Sequence, residues 1–375
     1  MLLIVKRCIV LAFDLRLKYN FKKKALKIIF NKKQERILTN LPAEVASEFK
    51  EFWKPVLNNT DILWLKIYGS VSGLWDKRYV SERIYYSIIE PCLNNKAFSK
   101  AYNDKNFYKE FISGIKLPQT YIKNVDGVFY NDENAAISLK EACAIIENSE
   151  SFMIKPSIDS GGGRNVNLYR KSQDVFTDNR GEAVKPDELF KRYKKNFIVQ
   201  EVIKSHEFYA DFNPSSLNTV RVFTYRSVSD ERIHVLHSIL RVGKQGSVTD
   251  NQASGGFACG VTEEGCLTGM AVNKLGCKLN EVNGINLVKG VKLEGYEKII
   301  EAAVKTAKQF LYSRLLGFDL CIDSEGEVNL IEVNNVNNEI NFYQMLNGSL
   351  FGEFSEEILA WISTKEKSFM IDFEI

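Results

Sequence analysis

The hydrophobic pattern divides the chain into a helical first part and a mixed second part. From about Ala43 to Lys100, apolar and aromatic residues recur three and four positions apart, which is typical of helices. From Phe208 onward, short apolar runs are bounded by Gly, Ser or Asp, which predicts strands. Gly295–Ser313 has the spacing of an amphipathic helix whose apolar face includes Leu311. We therefore expect an α+β protein.

The pattern from Gly317 to Asn338 predicts a tight antiparallel hairpin. Two apolar runs flank Asp323-Ser324-Glu325-Gly326, and glycine supplies the positive φ that such a turn favours. A turn centred on the last two of these residues places Asp319 directly opposite Glu332. Because side chains alternate along a strand, Asn334 shares the face of Glu332. The other face receives an apolar set that we expect in a core: Phe318, Leu320, Ile322, Ile331 and Val333.

The polar face of this hairpin is a candidate metal site. Two opposed carboxylates repel each other, and each raises the pKa of the other unless a cation lies between them. Mg²⁺ prefers oxygen ligands and typically uses one or two carboxylates together with substrate phosphates. We predict Asp319, Glu332 and Asn334 as the ligands of Mg²⁺, with Mn²⁺ as an alternative. Taken alone, the same pattern is also typical of a solvent-facing hairpin.

Charge is distributed unevenly along the 375 residues, whose net charge is +3. Residues 1–33 contain ten Lys or Arg and one Asp, a local charge of +9, so the remaining chain carries about −6. An acidic remainder argues against a general nucleic-acid surface. The basic segment is interleaved with apolar residues and could contact an anionic membrane face. A solvated helix with one packed face is the alternative interpretation.

Cysteine usage and hydropathy favour the cytoplasm. Seven cysteines are scattered without a CxxC pair, which suggests neither a zinc site nor a disulfide framework. No apolar run approaches the ~20 residues of a membrane-spanning helix. The opening segment is interrupted by Lys6 and Arg7 and lacks a small-residue cleavage site, so we do not expect a signal peptide. A location at the inner face of the membrane follows only if the basic segment binds lipid.

A glycine-rich loop between two predicted strands is a candidate phosphate site. Lys155 ends the first strand, and the loop Ser160–Gly163 follows it. Consecutive backbone N–H groups without a Cβ can hold an anion. In isolation, such a loop is equally typical of a flexible turn, and the P-loop motif is absent.

Further along, a short buried strand runs into a polar bend, as expected of a hinge between two lobes. Gln200–Ile203 could offer backbone groups to an adenine edge, and Glu207 could bind ribose hydroxyls. Arg221 and Arg241 fall on two neighbouring predicted strands, where they could stabilise phosphoryl charge. Ordinary sheet-edge arginines are the structural alternative.

These motifs, in this order, resemble the ATP-grasp superfamily, most closely its branch associated with sugar transfer and surface polysaccharides. The resemblance runs from Asp104 to the end of the chain and includes SLNTVR at Ser216–Arg221 and the DN…GG stretch at Asp250–Gly256. It implies that two α+β lobes clamp ATP, preceded by a mainly helical N-terminal domain. Some relatives carry an arginine where this chain has Gly317, so Arg221 or Arg241 would take over its role.

The resemblance also implies a role for each candidate residue. Catalytic roles fall on Arg221, Arg241 and Asn251. Nucleotide-binding roles fall on Lys105, Lys155, Ser160, Gly161, Gly162, Gly163, Gln200, Glu201, Val202, Ile203 and Glu207. The metal ligands are again Asp319, Glu332 and Asn334.

The implied reaction is ATP-dependent ligation of a carboxylate to an amine through an acyl phosphate, with a polysaccharide role by analogy. A kinase acting on a hydroxyl and a non-catalytic nucleotide sensor are the alternatives. We expect a basic arm and helical domain at 1–100, a first lobe at 101–207 and a second lobe at 208–375. The expected partner is a small-molecule or lipid-linked glycan substrate, with no nucleic acid.

Overall fold

The computed structural model describes residues 2–30, 38–158, 163–173 and 175–365, in which helices precede two separate antiparallel sheets. The helices are α1 (Leu2–Ile29), α2 (Ala43–Trp53), α3 (Leu63–Ser72), α4 (Glu82–Ile84), α5 (Glu90–Leu93), α6 (Lys96–Tyr102), α7 (Tyr108–Phe111), α8 (Leu139–Glu147), α9 (Pro186–Tyr193), α10 (Glu207–Ala210), α11 (Tyr296–Ala307), α12 (Asn341–Asn347) and α13 (Ser355–Ser363). A π-helical turn (Tyr85–Ile89) joins α4 to α5, and 3-10 turns lie at Lys105–Phe107, Gln252–Ser254 and Gly352–Phe354.

The strands confirm the predicted α+β class. They are β1 (Thr120–Val125), β2 (Val128–Tyr130), β3 (Ala136–Ile137), β4 (Ser151–Pro156), β5 (Asn167–Ser172), β6 (Val175–Asp178), β7 (Ala183–Val184), β8 (Phe197–Gln200), β9 (Thr219–Arg226), β10 (Ile233–Val242), β11 (Phe257–Val261), β12 (Leu267–Asn273), β13 (Lys278–Leu279), β14 (Glu281–Val282), β15 (Ile285–Asn286), β16 (Leu315–Ile322) and β17 (Val328–Asn334). No helix in the described part of the chain is both long enough and apolar enough to span a membrane.

The first sheet has eight strands in the order β3-β2-β1-β8-β4-β5-β6-β7. Helices α8 and α9 cover one face, where Ile154 and Val199 are fully buried. Because residues alternate faces, Lys155 and Gln200 belong to the opposite face. This sheet therefore presents polar groups on the side away from its own core.

The second sheet has seven strands in the order β13-β12-β11-β10-β9-β16-β17 and is covered on both faces. Helix α11 packs on one face, and its Ile299 and Ala303 are fully buried. The N-terminal helices, α12 and α13 share the core on the other face. Helix α11 ends at Ala307, and Leu311 is 74% exposed. The predicted extension of its apolar face to Leu311 is wrong, because the chain leaves the helix one turn before that residue.

The β16–β17 hairpin has the predicted pairing at the polar positions, with Asp319 opposite Glu332. Nearer the turn the register is shifted by one, since Leu320 pairs with Leu330 and leaves Ile331 as the extra residue of a β-bulge. Leu330 is therefore fully buried in the core, although it also borders the cleft between the lobes, whereas Ile331 lines this cleft, is half-buried and lies outside that core. The prediction that Ile331 faces the core is wrong for this reason.

The tip of the hairpin also joins the two lobes. After β8 the chain crosses to the hairpin, where the Ser324 N–H donates to the Lys204 carbonyl at 2.9 Å. The Lys116 ammonium lies 2.8 Å from the Asp323 carboxylate, and the Leu330 N–H donates to the Lys116 carbonyl at 2.9 Å. Lys116 and its neighbours therefore anchor the first lobe to the strand pair that carries the polar residues.

The bulge makes a testable distinction between two adjacent apolar residues. We expect Leu330→Ala to cost about 2–5 kcal/mol, because it opens a cavity in a closed core. The matched variant Ile331→Ala removes a similar side chain from the cleft wall, so its cost should be clearly smaller. Thermal unfolding followed by circular dichroism would compare the two, and equal losses of stability would contradict this register.

Candidate active site

Four adjacent strands present charged residues in one row. Arg221 on β9 pairs with Asp319 on β16, which in turn lies opposite Glu332 on β17. Arg241 on β10 lies two residues beyond Ile239, the register partner of Arg221, and so shares the same face. Toward the other end of this face the residues are apolar and packed under the N-terminal helices. The charged row therefore occupies the part of the face that this core leaves uncovered.

Asp319 is the centre of the row and is almost fully buried. Arg221 donates from Nε and Nη2 to Oδ1 and Oδ2 of Asp319, each at 2.6 Å, and Arg241 donates from Nη1 to Oδ2 at 2.7 Å. Burial alone would raise the pKa of Asp319, but the charges and hydrogen bonds of the two arginines lower that pKa well below its ordinary value. The carboxylate is therefore ionised and oriented.

A second buried carboxylate continues the array on the other side of Arg241. Asp250 accepts a hydrogen bond from the Thr219 hydroxyl, and its Oδ1 lies 3.0 Å from Arg241 Nη2. Burial raises the pKa of Asp250, with Arg241 opposing this shift. Our site prediction omitted Asp250, although it stands directly before the candidate Asn251. Its place at the start of the DN…GG stretch was the available signal.

The first lobe adds two lysines facing this row. Lys105 Nζ lies 2.8 Å from Glu332 Oε1, and Lys105 itself is buried. Although burial would raise the pKa of Glu332, the charge of Lys105 lowers it. Burial lowers the pKa of Lys155 to about 8, and the neighbouring charge of Lys105 contributes to this shift. Lys155 has no carboxylate within 4 Å among the residues that the structure describes.

The charges of the site do not cancel. Its cations are Arg221, Arg241, Lys105 and Lys155, and its carboxylates are Asp319, Asp250 and Glu332. Four cations against three carboxylates leave a net charge of +1 when Lys155 is protonated. A partly buried surplus of positive charge is unfavourable without an anion and therefore suits phosphate groups.

A cavity of about 320 Å³ lies beside the lysines. Lys105, Lys155, Gln200 and Ile331 contribute to its walls. Gln200 also donates from Nε2 to the Pro118 carbonyl at 3.3 Å, which fixes its amide. The cavity thus has an apolar wall on the second lobe and polar groups on the first.

The predicted hinge residues differ in their hydrogen bonds and in their burial. The Glu201 N–H donates to the Gln119 carbonyl at 2.9 Å, and its carboxylate accepts from the Gln119 N–H at 2.8 Å. The backbone N–H of Glu201 is thus used by the fold. Val202 and Ile203 are half-buried, and Glu207 is exposed at the start of α10. Their nucleotide roles stay predictions.

Of the predicted glycine-rich loop, Ser160–Gly163, which forms a flap at the cleft in the family that it resembles, the structure describes the last residue. Ser160, Gly161 and Gly162 lie outside the described residues. Gly163 has φ of +68°, and a Cβ there would lie 3.2 Å from Asn251. The end of the flap therefore touches the loop that carries Asn251, and this contact brings a first-lobe and a second-lobe candidate together.

The predicted metal ligands all offer oxygen atoms, as an oxygen-binding cation requires. They differ in how many of their acceptor positions the protein already uses. A carboxylate has about four acceptor positions, and three at Asp319 are taken by arginine N–H groups. Asn334 uses its Nδ2 toward the Gly317 carbonyl at 3.4 Å, so the donor set can include its Oδ1. No group of three His, Cys, Asp or Glu side chains suited to a metal occurs in the described part of the chain. Mg²⁺ would thus depend on Glu332, Asn334, one position at Asp319 and phosphate oxygens.

Close packing explains why position 317 is a glycine, where some relatives carry an arginine. A Cβ on Gly317 would lie 2.5 Å from the Asn338 side-chain oxygen, so any larger residue would displace Asn338. Arg221 approaches Asp319 from the neighbouring strand instead, and Arg241 does so from the strand after it. This geometry is compatible with either arginine taking over the role.

Sequence reasoning also missed a residue that holds the strand with the candidate metal ligands. The Tyr108 hydroxyl accepts a hydrogen bond from the Val333 N–H at 3.1 Å, between Glu332 and Asn334. Tyr108 is buried and follows Lys105 by three residues. An isolated tyrosine in a helical pattern gives no signal of such a contact.

The comparisons with known proteins identify the family. The model of the sugar-transfer associated ATP-grasp family matches residues 87–358. This match covers well over half of the chain, so the chain belongs to that family, and the predicted ATP-grasp fold with a helical N-terminal region is confirmed. A search of curated proteins found no match.

The solved structures to which this chain is similar are distant. The ADP complex of N5-carboxyaminoimidazole ribonucleotide synthetase is 15% identical, over 72% of this chain and 52% of that one, with a TM-score of 0.38. The VanG D-Ala:D-Ser ligase from Enterococcus faecalis is 15% identical over 72% and 62%, with a TM-score of 0.36. The ATP-grasp ligase PsnB, with minimal precursor, Mg and ADP, is 14% identical over 76% and 62%, with a TM-score of 0.35. This chain thus spans about half to three fifths of their length.

The central ion array predicts a large effect of one isosteric change. Asp319→Asn removes a negative charge that two buried guanidinium groups share, so we expect a loss of about 3 kcal/mol or more in the free energy of unfolding. In the control Asp187→Asn, the lost partner is the exposed Lys191, and the change should stay within ~0.5 kcal/mol. Thermal unfolding without nucleotide measures both, and similar melting temperatures for the two variants would refute the array's structural role.

Proposed function

We propose that the protein is an ATP-dependent ligase that joins a carboxylate to an amine, attaching an amino acid or related group during surface-polysaccharide biosynthesis. The observation that carries this proposal is the row of Arg241, Arg221, Asp319 and Glu332 facing Lys105 across the cleft. Such an array suits a transferring phosphoryl group, whose charge must be neutralised and held in line.

In the first step a carboxylate oxygen of the substrate would attack the γ-phosphorus of ATP. The bond from that phosphorus to ADP breaks, and an acyl phosphate forms. Lys105 and Lys155 would bind phosphate oxygens, while Arg221 and Arg241 would stabilise the negative charge that spreads over the phosphoryl group. Mg²⁺, when bound, supplies further neutralisation of phosphate charge.

In the second step an amine would attack the acyl carbon. The carbon–oxygen bond to phosphate breaks, phosphate leaves, and the amine loses a proton as the amide forms. This chemistry needs positioning rather than a nucleophile from the protein. In agreement with that, burial raises the pKa of Cys321, the thiol next to the site, so that it is held in its neutral form.

The polysaccharide part of the proposal is supported by the family description and by no single residue. The ion array supports activation of a carboxylate but does not distinguish one acid or amine from another. We therefore test the reaction class first and the substrates by screening.

The reaction class has a direct test. With Mg²⁺ and ATP, amino acids and uronic-type sugars would be screened in pairs for release of ADP and phosphate. We expect both products only when a carboxylate and an amine are present together. Glu332→Gln should lower this turnover at least 100-fold, because it removes the charge that pairs with Lys105. Glu327→Gln, on the exposed part of the same hairpin, is the matched control and should retain turnover.

Two outcomes would overturn the ligase proposal. ADP formation with a single alcohol and no free phosphate would identify a kinase instead. Full turnover in Glu332→Gln would remove that residue from the site.

The lowered pKa of Lys155 predicts a pH dependence of nucleotide binding. Bound phosphate favours the protonated lysine, so affinity is complete below the free-state pKa of about 8 and falls as pH rises through it, by up to tenfold per unit. Phosphate itself is already ionised there, since its second pKa is about 6. Calorimetric titration of ADP from pH 7 to 9.5 measures this slope.

Two variants separate Lys155 from other causes of the slope. Lys155→Gln should bind weakly at every pH, with the slope between pH 8 and 9.5 largely removed. Lys155→Arg keeps its charge across this range and should also lose the slope while binding more tightly than Lys155→Gln. An unchanged slope in both variants would exclude Lys155 as its origin.

A further inference from the structure

Between residues 15 and 30, the described side chains of helix α1 that pack on the rest of the protein lie along one side. Near its end Ala25 and Ile28 are buried in the core shared with α3 and the C-terminal helices, and Phe21 packs against that core. Lys24 forms an ion pair with the fully buried Glu82. These contacts hold the last third of α1 in a defined orientation.

The opposite side of the helix is basic and exposed. Arg16, Lys23 and Lys27 are all exposed, and their spacing of seven and four residues places them along one stripe. Tyr19, which is 64% exposed, lies between them, and Leu15 at 56% exposure flanks the stripe. We call Arg16, Lys23 and Lys27 with these two residues the free face of α1.

In the described part of the chain, the positive charges of the free face are not paired with acids. Within the described residues, no carboxylate lies within 4 Å of Arg16, Lys23 or Lys27. Some exposed lysines elsewhere do have such partners, for example Lys191 with Asp187 at 2.9 Å. The free face has few acidic residues near it in sequence, because residues 1–33 contain a single one. Unpaired cations arranged in a stripe with apolar residues are typical of helices that lie on anionic lipid.

We propose that the free face of α1 binds the surface of an anionic phospholipid membrane. The charge of +9 in residues 1–33 complements such a surface, and the net −6 of the remaining chain orients the protein with α1 toward it. Leu15 and Tyr19 enter the headgroup region, where an aliphatic and an amphipathic ring side chain are favoured. A duplex nucleic acid would use the charges but would leave the exposed aliphatic side chain of Leu15 without a role.

The packed side of helix α1 contacts the chain segment that follows the candidate site. Lys24 lies 3.8 Å from Glu339, which follows the candidate metal ligand Asn334 by five residues. The membrane-bound enzyme would therefore act on a lipid-linked substrate, a consequence that rests on the proposed function. The membrane contact itself does not, because none of its residues lies in the cleft.

Vesicle co-sedimentation of the full chain tests the contact. We expect binding to vesicles of 70:30 phosphatidylcholine and phosphatidylglycerol, little binding to phosphatidylcholine alone, and weaker binding as salt is raised. The triple variant Arg16→Gln, Lys23→Gln, Lys27→Gln should bind about 100-fold more weakly, since each basic residue near the surface contributes about fivefold.

A matched variant controls for net charge. Lys54→Gln, Lys191→Gln, Lys195→Gln also removes three exposed positive charges, all away from α1, and should retain vesicle binding. Circular dichroism of both variants verifies that they are folded. If the two triple variants bind alike, or if the protein binds duplex DNA through α1 and not the vesicles, the membrane proposal is overturned. An inactive but vesicle-binding protein would instead refute the proposed function alone.

Discussion

The site depends on one buried carboxylate held between two arginines. Asp319 shares its two oxygens among three N–H donors from Arg221 and Arg241, which come from two neighbouring strands. This arrangement links β9, β10 and β16 on their charged face, while Val220, Leu240 and Leu320 pack in the core on the opposite face. The same contacts aim both guanidinium groups at the cleft, so the interaction that stabilises the sheet also prepares the electrostatics of the site.

The neighbouring apolar core explains why the charges can be placed there. Phe223 and Tyr225 continue the face of Arg221 and are fully buried under the N-terminal and C-terminal helices. Tyr343 of α12 stacks on Phe223 with ring centroids 5.2 Å apart. One sheet face thus passes from a closed core to an open ionic site within a few residues. The helical region therefore borders the site as well as stabilising the fold.

Strand pairings that follow directly from the alternation of side chains along a strand could be predicted from the sequence. The hairpin pattern predicts that Asp319 lies opposite Glu332, and the structure confirms this pairing. The place of Ile331 could not be predicted, because a bulge moves one residue without a signal in the apolar pattern. Contacts between distant segments, such as Tyr108 with the backbone of Val333, were equally inaccessible, since they depend on how the lobes meet. Asp250 was present in a recognised motif, yet only the structure shows its contact with Arg241.

The charge surplus distinguishes this array from a purely structural ion network. A network that only stabilised the fold would be neutral, because each unpaired buried charge costs several kcal/mol. Here Lys155 faces the cleft with Lys105 nearby and a pKa lowered to about 8, so its charged form is disfavoured in the protein alone. An arrangement that is unfavourable by itself becomes favourable once an anion is shared by both lysines. Lys105 differs from Lys155 in this respect, because Glu332 at 2.8 Å already balances its charge in the protein alone.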